Sequence, residues 1–398
     1  MVFNTRHLLS AMKVREFGTL TETSQHIHLS QSALTQGINK LESQLGHIIF
    51  ERTQSGMFTT DVGDVFLKRV TRAFDYLLSF ANNVFEKSAK RKEGFLRLIT
   101  TRQLIALITV VDTGNYTNAA TKLGLTQPTL GKTIKDLEFT LEQKLFRRIP
   151  TGVEPTWRAK QLARLAHLFV AEIEQGLQEV NEFVGQRSGK IRIGSLPLAR
   201  ANIVPMAVLR LLEEYPQAEV SIVDGPYEEQ LVGLLQGQVD IIVGALRAPN
   251  LDNTITQHKL FDDKLHVVAR KHHPSLATIE EGTYASNISK WQWVIPKAGT
   301  PTRKVFNRMF ELEAMPVPKD IIECSTMMAI RGILLKSDRV TLLSARQVQD
   351  EVDAGLLYVS PNPLPDSCRE IGYTLRRDWQ PTALQRRFLE VLDEYKRD

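Results

Sequence analysis

The first half of this chain is written twice. Residues 5 to 60 align with residues 101 to 156 without gaps, at a constant offset of 96. The shared positions include Arg6/Arg102, Leu8/Leu104, Val14/Val110, Gly18/Gly114, Thr21/Thr117, Gln31/Gln127, Leu34/Leu130, Ile38/Ile134, Leu41/Leu137, Glu42/Glu138, Phe50/Phe146 and Arg52/Arg148. A duplication of this length constrains the fold strongly, because whatever one copy builds the other must build as well.

In each copy the apolar residues recur at helical spacing in three short bursts. In the second copy these are Leu104, Leu107, Ile108 and Val111, then Ala119, Ala120 and Leu123, then Leu130, Ile134, Leu137 and Leu141. Gly114 and Asn115 are placed to end the first helix and Thr117 to cap the second. Gly124-Leu125-Thr126 is a tight turn with a capping hydroxyl, so the second and third helices must cross as a helix-turn-helix. Leu145-Phe146-Arg147-Arg148, followed by a turn at Gly152, predicts a short hairpin, or wing.

The start of the third helix is polar in both copies: Ser30, Gln31, Ser32, Thr35 and Gln36 in one, Thr126, Gln127, Pro128, Thr129 and Lys132 in the other. Amide, hydroxyl and ammonium groups there suit base edges in a major groove, while the helix N-terminus suits a phosphate. Arg52 and Arg148, on the wing side, suit phosphates or the minor groove. The alternative is a repeat of packing helices with a merely polar outer face.

Both copies resemble the DNA-binding domain of LysR-type transcriptional regulators. The second carries Ala119-Ala120, Leu123, Thr126-Gln127-Pro128 and Phe146-Arg147-Arg148, but has Glu142 where that family has glycine. The first replaces the small pair by Thr23-Ser24 and keeps Leu45-Gly46, Phe50-Glu51-Arg52 and Thr60-Asp61-Val62-Gly63. Ordinary members of the family hold one such domain, so the duplication is a departure and leaves open which copy meets the operator.

Each wing is followed by a stripe at helix-seam spacing: Phe66, Val70, Phe74, Leu77, Ala81 and Val84, then Leu162, Leu165, Phe169, Ile173, Leu177, Val180 and Val184. The resemblance implies that the second stripe pairs subunits. The charged run from Lys87 to Glu93 reads as the joint between copies. These readings divide the chain into a first winged domain (1–60), a linker helix (61–97), a second winged domain (98–157), a dimerisation helix (158–188) and an effector-binding domain (189–398).

From residue 189 onward strands alternate with helices. Strands are expected at 191–194, 220–223 and 239–243, then at 264–269, 293–296, 320–323, 339–343 and 371–375. Continuous apolar strands such as Ile241-Ile242-Val243 imply a parallel, doubly wound sheet. The resemblance implies a bilobed domain like a periplasmic solute-binding protein, with lobe 1 at 189–266 and 345–398 and lobe 2 at 267–344. The expected architecture is therefore multidomain: two mainly α winged helix-turn-helix domains and an α/β bilobed effector domain.

Ligands of such sheets sit beyond the carboxyl ends of the strands. The loops holding Ser195 and Leu196, Gly225 and Tyr227, Gly299 and Thr300, and Ser325 and Thr326 bring glycine or a hydroxyl to a helix start, which suits a carboxylate. Plain helix capping is the alternative for each. The resemblance supports Ser195, Thr300 and Thr326 as effector-side positions. A weaker likeness over 330–344 and 376–382, to a subgroup controlling aromatic-acid catabolism and sugar uptake, points to a carboxylate or sugar-type effector.

The rest of the composition is permissive. The net charge of +5 over 398 residues allows a polyanionic partner without requiring one. Cys324 and Cys368 lack metal-ligand spacing and read as buried small hydrophobes. His272-His273 stands without a third ligand, and no catalytic signature accompanies it. No metal, cofactor or enzymatic activity is expected, and the absence of an apolar run long enough for a bilayer places the chain in the cytoplasm. The expected partners are double-stranded promoter DNA, a small-molecule effector, a second copy or three further copies of the chain, and RNA polymerase. The competing function is a ligand-independent architectural protein that bridges DNA sites.

Overall fold

Duplicated sequence becomes duplicated helices. The computed structural model describes residues 3–247, 253–281 and 288–397. Copy one forms α1 (Thr5–Phe17), α2 (Leu20–Ile27), α3 (Gln31–Leu45) and the wing β1 (Phe50–Thr53) and β2 (Gly56–Thr59). The linker helix α4 (Asp61–Val84) and a short α5 (Ala89–Leu98) follow. Copy two forms α6 (Thr101–Thr113), α7 (Tyr116–Lys122), α8 (Gln127–Leu141) and the wing β3 (Phe146–Ile149) and β4 (Gly152–Pro155), then the linker α9 (Trp157–Phe183).

The shared residues do the same work in both copies. Gly18 and Gly114 end the first helices in the left-handed conformation (φ 75° and 62°). Glu42 Oε1 accepts from the backbone N–H of Ile49 and Phe50 (2.9 and 3.2 Å), and Glu138 Oε1 from that of Leu145 (2.8 Å), so this carboxylate moors each wing to its third helix. One expectation fails locally. The second helix of copy two is capped by Asn115, whose Oδ1 accepts from Thr117 N (2.7 Å) and Asn118 N (3.3 Å), while Thr117 already lies inside the helix. Asn115 has extended backbone there, as Thr19 has in copy one.

The copies differ at two left-handed corners. Copy one has His28 (φ 54°) where copy two has Gly124 (φ 63°), and copy two has Glu142 (φ 54°) where copy one has Gly46 (φ 77°). A side chain in this region costs on the order of 1 kcal/mol, and the exposed Arg91–Glu142 ion pair offsets little of that. Glu142→Gly and His28→Gly are each expected to raise stability by about 1 kcal/mol, read as a higher thermal midpoint. A lower midpoint in both variants would contradict this account.

α4 and α9 pack on each other along their length, antiparallel: Phe66 lies against Gly176, and the rings of Phe74 and Phe169 meet edge-on at 5.3 Å. The second stripe, expected to pair subunits, is therefore covered within the chain by the first. An apolar face requires only an apolar partner, and the duplication puts one on the same chain. The first linker is not one segment either. Ser88 caps α5 by accepting from Arg91 N, and Phe95 packs on Phe80 and Phe85, so the charged run opens a new helix between the copies.

Among the described residues the effector half forms two five-stranded mixed sheets. Its strands are β5 (Ser188–Ser195), β6 (Gln217–Asp224), β7 (Ile241–Ala245), β8 (Ile255–Asp263), β9 (His266–Arg270), β10 (Gln292–Ile295), β11 (Ile321–Glu323), β12 (Arg339–Leu343), β13 (Leu357–Val359) and β14 (Arg369–Arg376). Its α-helices are α10 (Pro197–Ala201), α11 (Ile203–Glu214), α12 (Tyr227–Leu235), α13 (Leu276–Glu281), α14 (Pro301–Leu312), α15 (Met327–Lys336), α16 (Gln349–Asp353) and α17 (Ala383–Asp393).

One sheet has the order β6-β5-β7-β14-β8 and the other β11-β10-β12-β9-β13. Neighbouring strands are parallel in the β6-β5-β7 and β11-β10-β12 halves, and the remaining pairings are antiparallel. The chain passes between lobes at 263–266 and returns at 359–369, not near 345 as expected. Residues 345–359, which include the short edge strand β13, belong to the second lobe. Among the described residues no single helix is long and apolar enough to cross a membrane.

Candidate functional site

The third helix of each copy, α3 and α8, opens on its capping hydroxyl. Ser30 Oγ accepts from Ala33 N (3.2 Å) and lies 2.9 Å from Ser32 Oγ, and Thr126 Oγ1 accepts from Thr129 N (3.3 Å) and lies 2.8 Å from Thr129 Oγ1. The buried side of α3 and α8, through Leu34, Ile38, Leu41 and Leu130, Ile134, Leu137, locks the helices into their domains. The opposite side is presented to solvent. Ser30, Gln31, Ser32 and Gln36, and in copy two Thr126, Gln127, Pro128 and Lys132, line this side, while Thr35 and Thr129 are half-buried.

Arg52 and Arg148 are exposed on the first strand of each wing, and Arg52 Nη2 donates to Asn39 Oδ1 of α3 at 3.4 Å, holding the wing cation beside the helix. Gln31 Nε2 donates to Thr21 Oγ1 of α2 at 3.2 Å. The arrangement is a polar, partly cationic surface without acidic side chains in the first turn of either helix. It can donate to and accept from base edges and neutralise phosphates.

The effector-side residues fall into two groups, one per lobe. Ser195 and Leu196 end β5 beside the end of β6, with Ser195 in register with Asp224, and Gly225 and Tyr227 follow. Gly299 and Thr300 lie between β10 and α14, and Ser325 and Thr326 between β11 and α15, at the carboxyl ends of adjacent parallel strands. The lobes meet through Arg369 of β14, whose guanidinium pairs with Asp263 and donates to Thr302 Oγ1 (3.4 Å), while Asp263 also accepts from Ser344 Oγ.

Individual roles differ. Thr300 is a helix cap, accepting from Arg303 N (3.3 Å) and donating to Lys297 O (2.9 Å). Thr326 occupies the N-cap of α15 without capping it, and Thr326 and Ser325 are exposed. Ser195 is fully buried, and among the described residues its Oγ has no hydrogen-bond partner. Arg369 Nε is likewise buried and unpaired.

Sequence reasoning missed the cations. Arg247 follows the carboxyl end of β7 and stacks on Tyr227, its guanidinium 4.9 Å from the ring centre. Burial, with a smaller contribution from Arg369, pulls the Arg247 guanidinium below its usual range, and burial pushes the Tyr227 phenol up. The rule that ligands lie beyond strand ends covers Arg247 as well as Ser195 and Gly225, so the signal was present. Arg369 had none, because the partners that mark it are remote in sequence. His273 is a backbone-bonded residue, its Nε2 2.9 Å from Asp338 O. Against expectation neither cysteine is fully buried: Cys324 is half-buried after β11, and Cys368 is exposed on the segment that returns to the first lobe.

Comparison with known proteins agrees with this geometry. The chain matches the bacterial regulatory helix-turn-helix protein, lysR family, at residues 5–64 and again at 101–160, and the LysR substrate binding domain over residues 185–397. It is 28% identical over 373 residues to the HTH-type transcriptional regulator GalR of Pseudomonas putida, covering 94% of this chain, and so both copies, and 92% of GalR. It is 26% identical to the HTH-type transcriptional regulator PcaQ of Agrobacterium fabrum over 71% of this chain and 90% of PcaQ.

In fold it resembles a full-length OxyR variant from Pseudomonas aeruginosa (TM-score 0.52, 22% identity, 75% of this chain and 97% of that one). It also resembles CbnR, a LysR family transcriptional regulator (TM-score 0.51, 17% identity, 75% and 100%). The curated relatives are named as regulators of transcription, not as enzymes. With two helix-turn-helix domains and one substrate-binding domain, the chain belongs to the LysR family of transcriptional regulators.

Proposed function

We propose that this regulator reads promoter DNA with Gln31, Ser32, Thr35 and Gln36 of α3 and Gln127, Thr129 and Lys132 of α8, that Arg52 and Arg148 hold the backbone, and that a small carboxylate-bearing metabolite between the sensor lobes controls the grip. The observation that carries the effector reading is Ser195: a buried hydroxyl without a partner costs about 1–3 kcal/mol, a cost a bound acceptor or donor removes. Arg247, stacked on Tyr227 with no acidic partner among the described hydrogen bonds and ion pairs, adds positive charge to the same lobe, and a guanidinium favours a carboxylate over a neutral sugar. Lobe closure on such an anion would re-angle the α4–α9 pair and with it the recognition helices.

The test is thermal unfolding of the full chain with a panel of mono- and dicarboxylates and of neutral sugars. At a hundredfold excess over Kd, ligand stabilises the sensor by about 2.7 kcal/mol. For a domain of this size that is a shift of roughly 5–10 °C. Arg247→Ala is expected to abolish the shift. No shift with any panel member would overturn the effector reading.

A further inference from the structure

We propose that a single chain carries a complete two-half-site DNA reader, the two copies forming an internal pseudo-dimer about a local twofold axis. Two side-chain hydrogen bonds that join the copies are reciprocal, and a third, from Thr5 N to Thr101 Oγ1 (3.1 Å), lies between them. Thr5 Oγ1 donates to Ile99 O (2.8 Å) and Thr101 Oγ1 donates to Phe3 O (2.5 Å), and each bond is the image of the other under the offset of 96. The linker helices obey the same symmetry. They run antiparallel and cross where Phe74 meets Phe169, the residue equivalent to its neighbour Ala73.

The far ends are exchanged as well. α4 leads into α5, which reaches copy two through the Arg91–Glu142 pair, and α9 ends with Phe183 lining one hollow with His47, Ile48 and Thr60 of copy one. Both copies share one continuous buried core. This is the geometry of an isologous dimer, in which residue i meets j and j meets i, built from one polypeptide.

Two consequences follow for recognition, both resting on the DNA-reading proposal above. Twofold-related recognition helices meet two half-sites in inverted orientation, so one chain spans both. The readers are not identical: the offset sets Ser32, Thr35 and Gln36 against Pro128, Gly131 and Lys132. An amide side chain pairs best with adenine and an ammonium with guanine, so the half-sites must differ in sequence. A homodimer of one-domain chains reads a palindrome. This chain reads an asymmetric inverted pair.

The experiment is selection of bound sequences from a random duplex pool by the purified full chain, repeated with Gln31→Ala and Gln127→Ala. Both glutamines are exposed, so the variants keep the fold, which circular dichroism checks. The expected result is an inverted pair of unlike half-sites. Gln31→Ala should relax one half and Gln127→Ala only the other, each lowering affinity for the wild-type site about tenfold.

Native mass spectrometry on the minimal selected duplex should find one chain per pair of half-sites. Two identical half-sites that weaken together under one substitution, or two chains on one pair, would overturn the pseudo-dimer while leaving DNA reading intact. Enrichment of no sequence at all would overturn DNA reading itself.

Discussion

Arg69→Ala is expected to cost the DNA-binding half about 3–5 kcal/mol, the range for removing one partner of a buried ion pair. Arg69 and Glu172 are nearly inaccessible at 3% and 1% exposure. The guanidinium donates from Nη1 to Glu172 Oε2 (3.0 Å) and Gln175 Oε1 (2.9 Å), from Nε to Glu179 Oε2 (2.9 Å), and from Nη2 to Glu179 Oε1 and to the backbone carbonyl of Gln380 (2.9 Å). Alanine leaves the Glu172 carboxylate in the seam with only Arg72 beside it, at 3.3 Å. The loss is read as a lower urea midpoint at unchanged slope. Arg69→Met combined with Glu172→Gln should recover part of it, since the fully buried carboxylate is no longer stranded, while the less buried Glu179 still loses its partner. A loss below about 1 kcal/mol, the value of an exposed pair, would sink the account.

The same network ties the seam to the sensor. Arg72 Nη2 donates to Asp378 O (2.8 Å), and the Tyr76 hydroxyl, pushed up to about 12 mainly by burial, donates to Asp378 Oδ2 (2.9 Å). Asp378 also accepts from Arg376 Nε (3.0 Å), which places it at the end of the hinge strand β14. Copy one's linker therefore grips the sensor directly, through Arg69 on Gln380 and through Arg72 and Tyr76 on Asp378.

This junction shows where sequence reasoning stops. The stripes of α4 and α9 are legible as helical faces that need cover, but spacing does not say that each covers the other. Pairing is a property of two segments a hundred residues apart, and Arg69 lies between stripe positions as an ordinary surface-type residue. The winged domains are legible because their caps, turns and periodicities are local. Two sensor strands are not. β8 reads Ile255-Thr256-Gln257-His258-Lys259-Leu260, half polar, and β13 is three residues long, so neither carries a clear alternation of period two. The resemblance placed the return to the first lobe near 345, and β13, unread in the sequence, is the strand that keeps the chain in the second lobe to 359. Of the candidate sensor site, the loops are visible from strand ends, whereas Arg369 acquires its place only when Thr302 and Asp263, itself held by Ser344, converge on it.

Gly152→Ala is expected to destabilise copy two by about 3 kcal/mol, combining backbone strain with overpacking. Gly152 has φ 145°, a region that residues with a Cβ avoid, and a methyl there would lie 2.5 Å from Gly114 O. That carbonyl cannot retreat easily, because it ends α6 and accepts from Val153 N at 3.0 Å, seating the wing on the first helix. Copy one repeats the contact, with Gly56 at φ 148° and its Cβ position 2.6 Å from Gly18 O, so Gly56→Ala should act alike there. Gly131→Ala supplies the control within the same domain. It lies in the interior of α8 with nothing within 4 Å of its Cβ position, and alanine there should stabilise by about 0.5–1 kcal/mol. Opposite signs for the same substitution, measured by thermal unfolding of the free protein, separate wing seating from general glycine effects. Because Arg148 rides on the displaced wing, Gly152→Ala should also weaken the half-site that Gln127→Ala weakens and leave the other unchanged. Equal stability changes at Gly152 and Gly131 would mean that the wing is not held by the end of α6.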